Sequence, residues 1–127
     1  MTREPITIEG HETVTVAFQR MGERKIRHLP VLHKGQLVGI LSDRDIRQCL
    51  PPVEGDEKEL ALAQRLLREP VRKYMTESVR TVTATTEVGV AVDLMVEHRF
   101  GCLPVLEGDK LVGVITYFDL LKHLRPK

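Results

Sequence analysis

Leu29-Pro30-Val31-Leu32-His33-Lys34-Gly35-Gln36-Leu37-Val38-Gly39-Ile40-Leu41-Ser42 returns 74 positions later as Leu103-Pro104-Val105-Leu106-Glu107-Gly108-Asp109-Lys110-Leu111-Val112-Gly113-Val114-Ile115-Thr116. The same offset joins Met1-Thr2 to Met75-Thr76, Ala17 to Ala91, Met21 to Met95 and Asp45 to Asp119. About a third of residues 1–50 recur at 75–124, where average amino-acid usage gives roughly 3 in 50 by chance. The chain is therefore a duplicated unit, and the duplication governs every later reading.

Each copy reads as β-α-β-β-α. A short β-rich piece comes first, Ile6-Thr7-Ile8 or Arg80-Thr81-Val82. A helix follows, with apolar residues at i, i+3, i+4 and i+7: Val14, Ala17, Phe18 and Met21, then Val88, Ala91, Val92 and Met95. Two strands come next, joined by the polar turns His33-Lys34-Gly35-Gln36 and Glu107-Gly108-Asp109-Lys110. Ser42-Asp43-Arg44-Asp45 and Thr116-Tyr117-Phe118-Asp119 each place a hydroxyl at an N-cap and an acid three residues on. Pro51-Pro52 stops the first of these helices. Between the copies, Asp56 and Glu59 start a linker helix over 57–68. Its stripe of Leu60, Ala63, Leu66 and Leu67 covers an apolar face or an intersubunit surface, and Glu69-Pro70 ends it. The expected division is 1–50, a linker at 51–74, and 75–127. The fold class is α/β (α+β), two repeated units packed through their sheets with pseudo-two-fold symmetry.

Composition excludes much. The chain has 127 residues, 42% hydrophobic and 29% charged, which suits a small globular protein rather than a disordered one. Nineteen basic against 18 acidic residues leave a net charge of +1, against a dedicated nucleic-acid binder. Aromatics are 4%, too few for base-stacking platforms. Cys49 and Cys102 make no zinc spacing and no disulfide scaffold, which fits a reducing cytosol. No apolar run is long enough to span a membrane, and the N-terminus has no signal-like region. Asn is absent and Arg outnumbers Lys, a pattern found in thermophile proteins. Histidines 11, 28, 33, 98 and 123 form no paired metal spacing, so no metal site is expected. Ser42 has no base partner, and no nucleophile or phosphate-loop motif appears, so no catalysis is expected.

Arg27-His28-Leu29-Pro30-Val31-Leu32, Gly35 through Ser42 and Asp45, with Gly101-Cys102-Leu103-Pro104-Val105, Leu111 through Thr116 and Asp119, resemble a tandem pair of CBS domains. That tandem is also called a Bateman module, and the likeness is to its stand-alone prokaryotic form. The resemblance covers nearly the whole chain. It implies a regulatory module that binds an adenosine-containing ligand, such as AMP, ADP, ATP or S-adenosylmethionine, in clefts between the copies. It also implies a homodimer and an unidentified target protein. No cofactor is required; the adenosyl molecule is a regulatory ligand.

Two roles compete for Asp45 and Asp119. A carboxylate at a helix start accepts two hydrogen bonds from a ribose diol, while the preceding hydroxyl and free N–H groups hold an oxygen. The plainer role is a cap worth about 1 kcal/mol. The resemblance favours the clamp, with Ser42 and Thr116 in support. Where copy one is basic, copy two is not, keeping a full positive charge only at Arg99. Arg24, Lys25, Arg27, His28, Lys34, Arg44 and Arg47 face His98, Arg99, Gly101, Cys102, Gly108, Phe118 and Leu121 at matched positions. An anionic ligand would lean on Arg27, His28 and Arg44; the plainer role is a solvated basic face. The resemblance assigns the base pocket to Ile6, Ile8, Leu29, Pro30, Val79, Thr81, Val82, Leu103 and Pro104, residues that any core would also use. The small Gly101-Cys102 would let a flat ring approach. Tyr117 and Phe118 are read as packing residues at a subunit surface. Against the sensor stand two rivals: a ligand-free interaction module, and a weak nucleic-acid binder using the copy-one basic patch.

Overall fold

The computed structural model describes residues 2–51, 56–77 and 79–124; Met1 and Pro52, used in the sequence reading, lie outside them. In order, the elements are β1 (Thr2–Arg3), β2 (Ile8–Glu9), α1 (Val14–Arg24), β3 (His28–His33), β4 (Gln36–Ser42), α2 (Asp43–Cys49), α3 (Glu57–Leu67), a 3₁₀ turn at Val71–Lys73, α4 (Val88–His98), β5 (Cys102–Glu107), β6 (Lys110–Thr116) and α5 (Tyr117–Leu124). The class is mixed α/β with internal repeats, as expected.

Two compact units emerge. One comprises Ile6–Lys34 and Val38–Glu77; the other comprises the residues before Ile6, Gly35–Leu37 and those from Val79 on. In the first, the sheet order is β2-β3-β4, with β2 parallel to β3 through Ile8↔Val31. In the second, the order is β1-β6-β5, and Val82 forms a parallel bridge to Val105. The early strands are shorter than the sequence implied. Among the described residues, copy one pairs Ile8–Glu9 and copy two pairs Val82 alone, because the chain turns away at once towards its helix.

The lead residues are exchanged. Thr2 and Arg3 pair antiparallel with Val114 and Gly113. Thr76, the repeat equivalent of Thr2, bridges Ile40, the equivalent of Val114, with N–H donors going both ways at 3.0 and 2.8 Å. Each lead thus completes the sheet of the other repeat's hairpin, so the compact units do not follow the repeat boundaries 1–50, 51–74 and 75–127.

Glycine makes the exchange sterically possible. A Cβ on buried Gly39 would stand 2.7 Å from Met75 Sδ and 2.8 Å from the Thr76 carbonyl. A strand glycine where another backbone comes this close has no substitute. At the hairpin tips, Lys34 and Gly35 both have positive φ (51° and 80°), as a type I′ turn requires; at the other tip Gly108 alone does (61°), as in type II′.

Each unit has its own core. Ile8, Val14, Ala17, Met21, Leu29, Val31, Leu41, Ile46, Leu66 and Val71 form one; Val82, Ala91, Met95, Leu103 and Val105 form the other. Asp56 caps α3 by accepting from the Glu59 N–H at 2.9 Å. That helix covers α1 of its own chain. Leu66 enters the core, Thr15 Oγ1 donates to the Leu67 carbonyl at 2.7 Å, and the Val14 N–H donates to the Glu69 carbonyl at 3.0 Å.

Gly39→Ala therefore costs about 1–3 kcal/mol, the usual cost of overpacking. Gly22→Ala on α1, where an added Cβ meets nothing within 4 Å, is neutral or stabilising. Urea unfolding of the two variants checks the contrast.

Candidate functional site

β4 ends and α2 begins on one residue, Ser42. Its Oγ accepts from the Asp45 N–H at 3.0 Å, and Asp45 Oδ2 accepts from the Ser42 N–H at 3.0 Å. This reciprocal capping box satisfies two N–H groups that the first helical turn leaves without partners. β6 runs into α5 through the same device. The Thr116 N–H donates to Asp119 Oδ2 at 2.9 Å, and Thr116 Oγ1 accepts from the Asp119 N–H at 3.3 Å. Both carboxylates are half-buried. The backbone bonds occupy Oδ2 of each and leave Oδ1 without a partner among the described residues. Capping and ligand contact are thus compatible on one carboxylate.

The residue before each Leu-Pro comes to these boxes. His28 opens β3, half-buried, and feels the charges of Asp43 and Asp45. Burial pushes its imidazole below the ordinary 6.5, with Arg27 adding to that; Asp43 and Asp45 pull it partway back. Cys102 opens β5 in the equivalent place. Burial raises its thiol to about 12, and the Asp119 charge adds to the rise. Position 28 thus offers a polar imidazole, and position 102 a neutral, apolar thiol. Arg27 holds α2 in place through its carbonyl, which accepts from the Asp43 N–H at 3.0 Å, while its side chain is exposed. Arg44 is exposed as well. Asp43, which sequence comparison passed over, pairs with Arg47 at 3.6 Å, and its charge raises the proton affinity of His28. The repeat gave no signal for it, since the matched residue is Tyr117.

The expected base-pocket residues divide by exposure. Leu29, Pro30, Leu103 and Pro104 are fully enclosed, and Ile8, Val82 and Cys102 are buried. Ile6, Val79 and Gly101 are half-buried, and Thr81 is exposed. Ile6, Ile8, Arg27, His28, Leu29, Pro30, Ser42, Arg44 and Asp45 fall in one unit; Val79, Thr81, Val82, Gly101, Cys102, Leu103, Pro104, Thr116 and Asp119 fall in the other. Among the described residues, no His/Cys/Asp/Glu cluster has the makings of a metal site, and no helix is long and apolar enough to cross a membrane.

The sequence pattern of the CBS domain matches twice, over residues 1–52 and 71–126. The chain belongs to the CBS-domain family. Among its relatives is the Hypoxic response protein 1 of Mycobacterium tuberculosis, 33% identical over 90% of this chain and 74% of that protein. The CBS pair of protein MJ0100, solved with 5′-methylthioadenosine and S-adenosyl-L-methionine, superposes with a TM-score of 0.79. It is 25% identical over 98% of this chain and 94% of that one. The CBS domain of a membrane protein from Sphaerobacter thermophilus also superposes at 0.79, with 25% identity over 97% of this chain and 83% of that one. The chain is thus a CBS pair, the regulatory module that the sequence resembles.

Two expectations follow. His28 binds protons more weakly in the folded state than in the unfolded one, so the unfolded state takes up more protons as pH falls. The contribution of His28 is intact above 6.5 and is lost as pH drops from there through its lowered folded value. His28→Asn flattens that acid-side loss in a series of melts between pH 7.5 and 5. Exposed Cys49 and buried Cys102 also separate. At pH 8 an alkylating reagent labels Cys49 in the native protein and both residues after unfolding, read by intact mass.

Proposed function

We propose that this CBS pair is a non-catalytic sensor that binds an adenosine-containing ligand at the capping-box residues and relays its level to a separate protein. The observation that carries the reading is the duplicated Ser/Thr-x-x-Asp box. It holds a half-buried carboxylate at a helix start and leaves one oxygen of that carboxylate for a ribose hydroxyl. The adenosyl complex of MJ0100, similar to this chain along its length, supports that ligand class. In the proposed pose, Asp45 or Asp119 takes the ribose, with Ser42 or Thr116 beside it. Of the base-pocket set, the residues with accessible surface contact the base, Ile6 in the unit of Asp45 and Val79, Thr81 and Gly101 in the unit of Asp119. Ile8, Leu29, Pro30, Val82, Cys102, Leu103 and Pro104 back the wall.

The two boxes have different surroundings. Arg27 and Arg44 give the first a cationic border suited to phosphate, with the polar His28 imidazole beside them, whereas Gly101, Cys102 and Phe118 give the second an uncharged one. A phosphorylated ligand accordingly favours the first box. Signalling requires that the ligand bind one arrangement of the chain better than another. The proposed assembly is a homodimer through the exposed Tyr117, Phe118 and Leu121 of α5.

Isothermal titration against AMP, ADP, ATP, S-adenosylmethionine and 5′-methylthioadenosine tests the reading. The expected result is saturable binding of at least one ligand, weakened tenfold or more by Asp45→Ala or Asp119→Ala. Each substitution also costs about 1 kcal/mol of stability through the lost cap, so binding is read at a temperature where both variants are folded. No heat from any of the five ligands at two temperatures contradicts the sensor and leaves the interaction module.

A further inference from the structure

β2 is the outer strand of the order β2-β3-β4. Ile8 pairs with Val31, and the Gly10 N–H donates to the Leu32 carbonyl at 3.0 Å, so these alternate residues turn their backbone groups inward. The Thr7 carbonyl and the Glu9 N–H point outward from the sheet edge. Two side chains meet them there. Arg20 Nη1 donates to the Thr7 carbonyl at 2.8 Å, and Glu12 Oε2 accepts from the Glu9 N–H at 2.8 Å. Arg20 also forks over Glu12, from Nη1 to Oε2 and from Nη2 to Oε1, each at 3.2 Å. A donor and an acceptor tied together thus fill the two places that one residue of a neighbouring parallel strand would take. Both side chains are half-buried. The arginine stands on α1, which Val14, Ala17 and Met21 anchor in the core, so the clamp is built on a rigid element.

Copy two lacks the clamp. Thr86 takes the place of Glu12, and Leu94 that of Arg20. Thr86 Oγ1 still accepts from the Thr83 N–H at 3.0 Å, the equivalent of the Glu9 bond. Leu94 packs against the core of its own unit instead. Among the described residues nothing donates to the Thr81 carbonyl, the equivalent of that of Thr7. The clamped segment in copy one leads to the first box. The register Ile8↔Val31, carried two residues back, sets Ile6 level with Leu29, next to His28 where β3 opens beside Asp45.

We propose that Arg20 and Glu12 are positioning residues of the first adenosyl site. They hold the Ile6–Ile8 segment at the edge of its sheet, so the wall that receives the base is formed before the ligand arrives. The inference rests on the adenosyl reading of the Ser42/Asp45 box. A preformed wall spares the ligand the cost of ordering it. The box at Thr116/Asp119 has no such clamp and orders its wall on binding. Neither Arg20 nor Glu12 touches the ligand; both act through the backbone of Thr7 and Glu9.

Arg20→Leu, which gives copy one the residue of copy two, tests this. The full chain and its variants are titrated with S-adenosylmethionine and with AMP, and the amides of Ser42 and Asp45, and of Thr116 and Asp119, report each box separately. Binding at the first box is expected to weaken about tenfold, the scale of ordering one or two side chains on binding. Any binding at the second box is unchanged. Arg20→Lys keeps a donor but cannot fork over both acceptors. It shows a smaller loss, and it carries the test if Arg20→Leu does not fold. A pair that serves stability alone moves neither affinity at a temperature where the variants are folded. Saturation at the first box that the folded variants leave unchanged, or equal weakening of both boxes, overturns the inference and leaves the adenosyl reading standing. So does wild-type saturation at the second box alone. No saturation at either box contradicts the adenosyl reading itself, and this inference with it.

Discussion

A strand that becomes a helix on a single residue leaves its first helical N–H groups without partners, and the capping box is how this chain resolves that twice. Ser42 and Asp45, then Thr116 and Asp119, exchange bonds across the junction. The bonds fix where β4 and β6 stop and the direction in which α2 and α5 leave. They also hold a carboxylate half-buried at a helix start, where the aligned backbone dipoles favour negative charge. The strand-opening residues His28 and Cys102 feel those carboxylates. The feature that stabilises the junction is therefore also the feature a ribose would meet.

Duplication sets the frame, and divergence distributes the roles. The repeats keep Leu-Pro-Val-Leu, Leu-Val-Gly and the box acid, all of which serve the sheet or the junction. They differ around the box, where Arg27, His28, Asp43 and Arg44 oppose Gly101, Cys102, Tyr117 and Phe118. They differ again on the first helix, where Val14 of α1 is buried under residues 66–71 and its equivalent Val88 of α4 is exposed. Shared positions account for the architecture; unshared ones carry what is particular to this chain.

The fold was legible because a fixed 74-residue offset exposes the repeat, and because the helical stripes and turn residues agree with it. Both boxes and the linker helix could be read from short-range spacing. The exchange of lead segments could not. Nothing in Met1-Thr2 or Met75-Thr76 says which sheet a two-residue strand will join. The one available signal was the glycine repeated inside both second strands, whose close backbone approach the structure explains at Gly39. The base-pocket set was also beyond the sequence, because Leu29 and Leu103 look alike as core and as ligand wall. Only burial separates them from Ile6, Val79 and Thr81.

The most direct test of the central claim, that the two boxes are adenosyl sites, is a ¹⁵N–¹H amide spectrum recorded through titrations with S-adenosylmethionine and with AMP. The account predicts saturable shifts at the amides of Ser42 and Asp45, of Thr116 and Asp119, or of both pairs. Their neighbours His28 or Cys102 move with them. Spectra unchanged by both ligands, or shifts confined to residues away from both boxes, would contradict it.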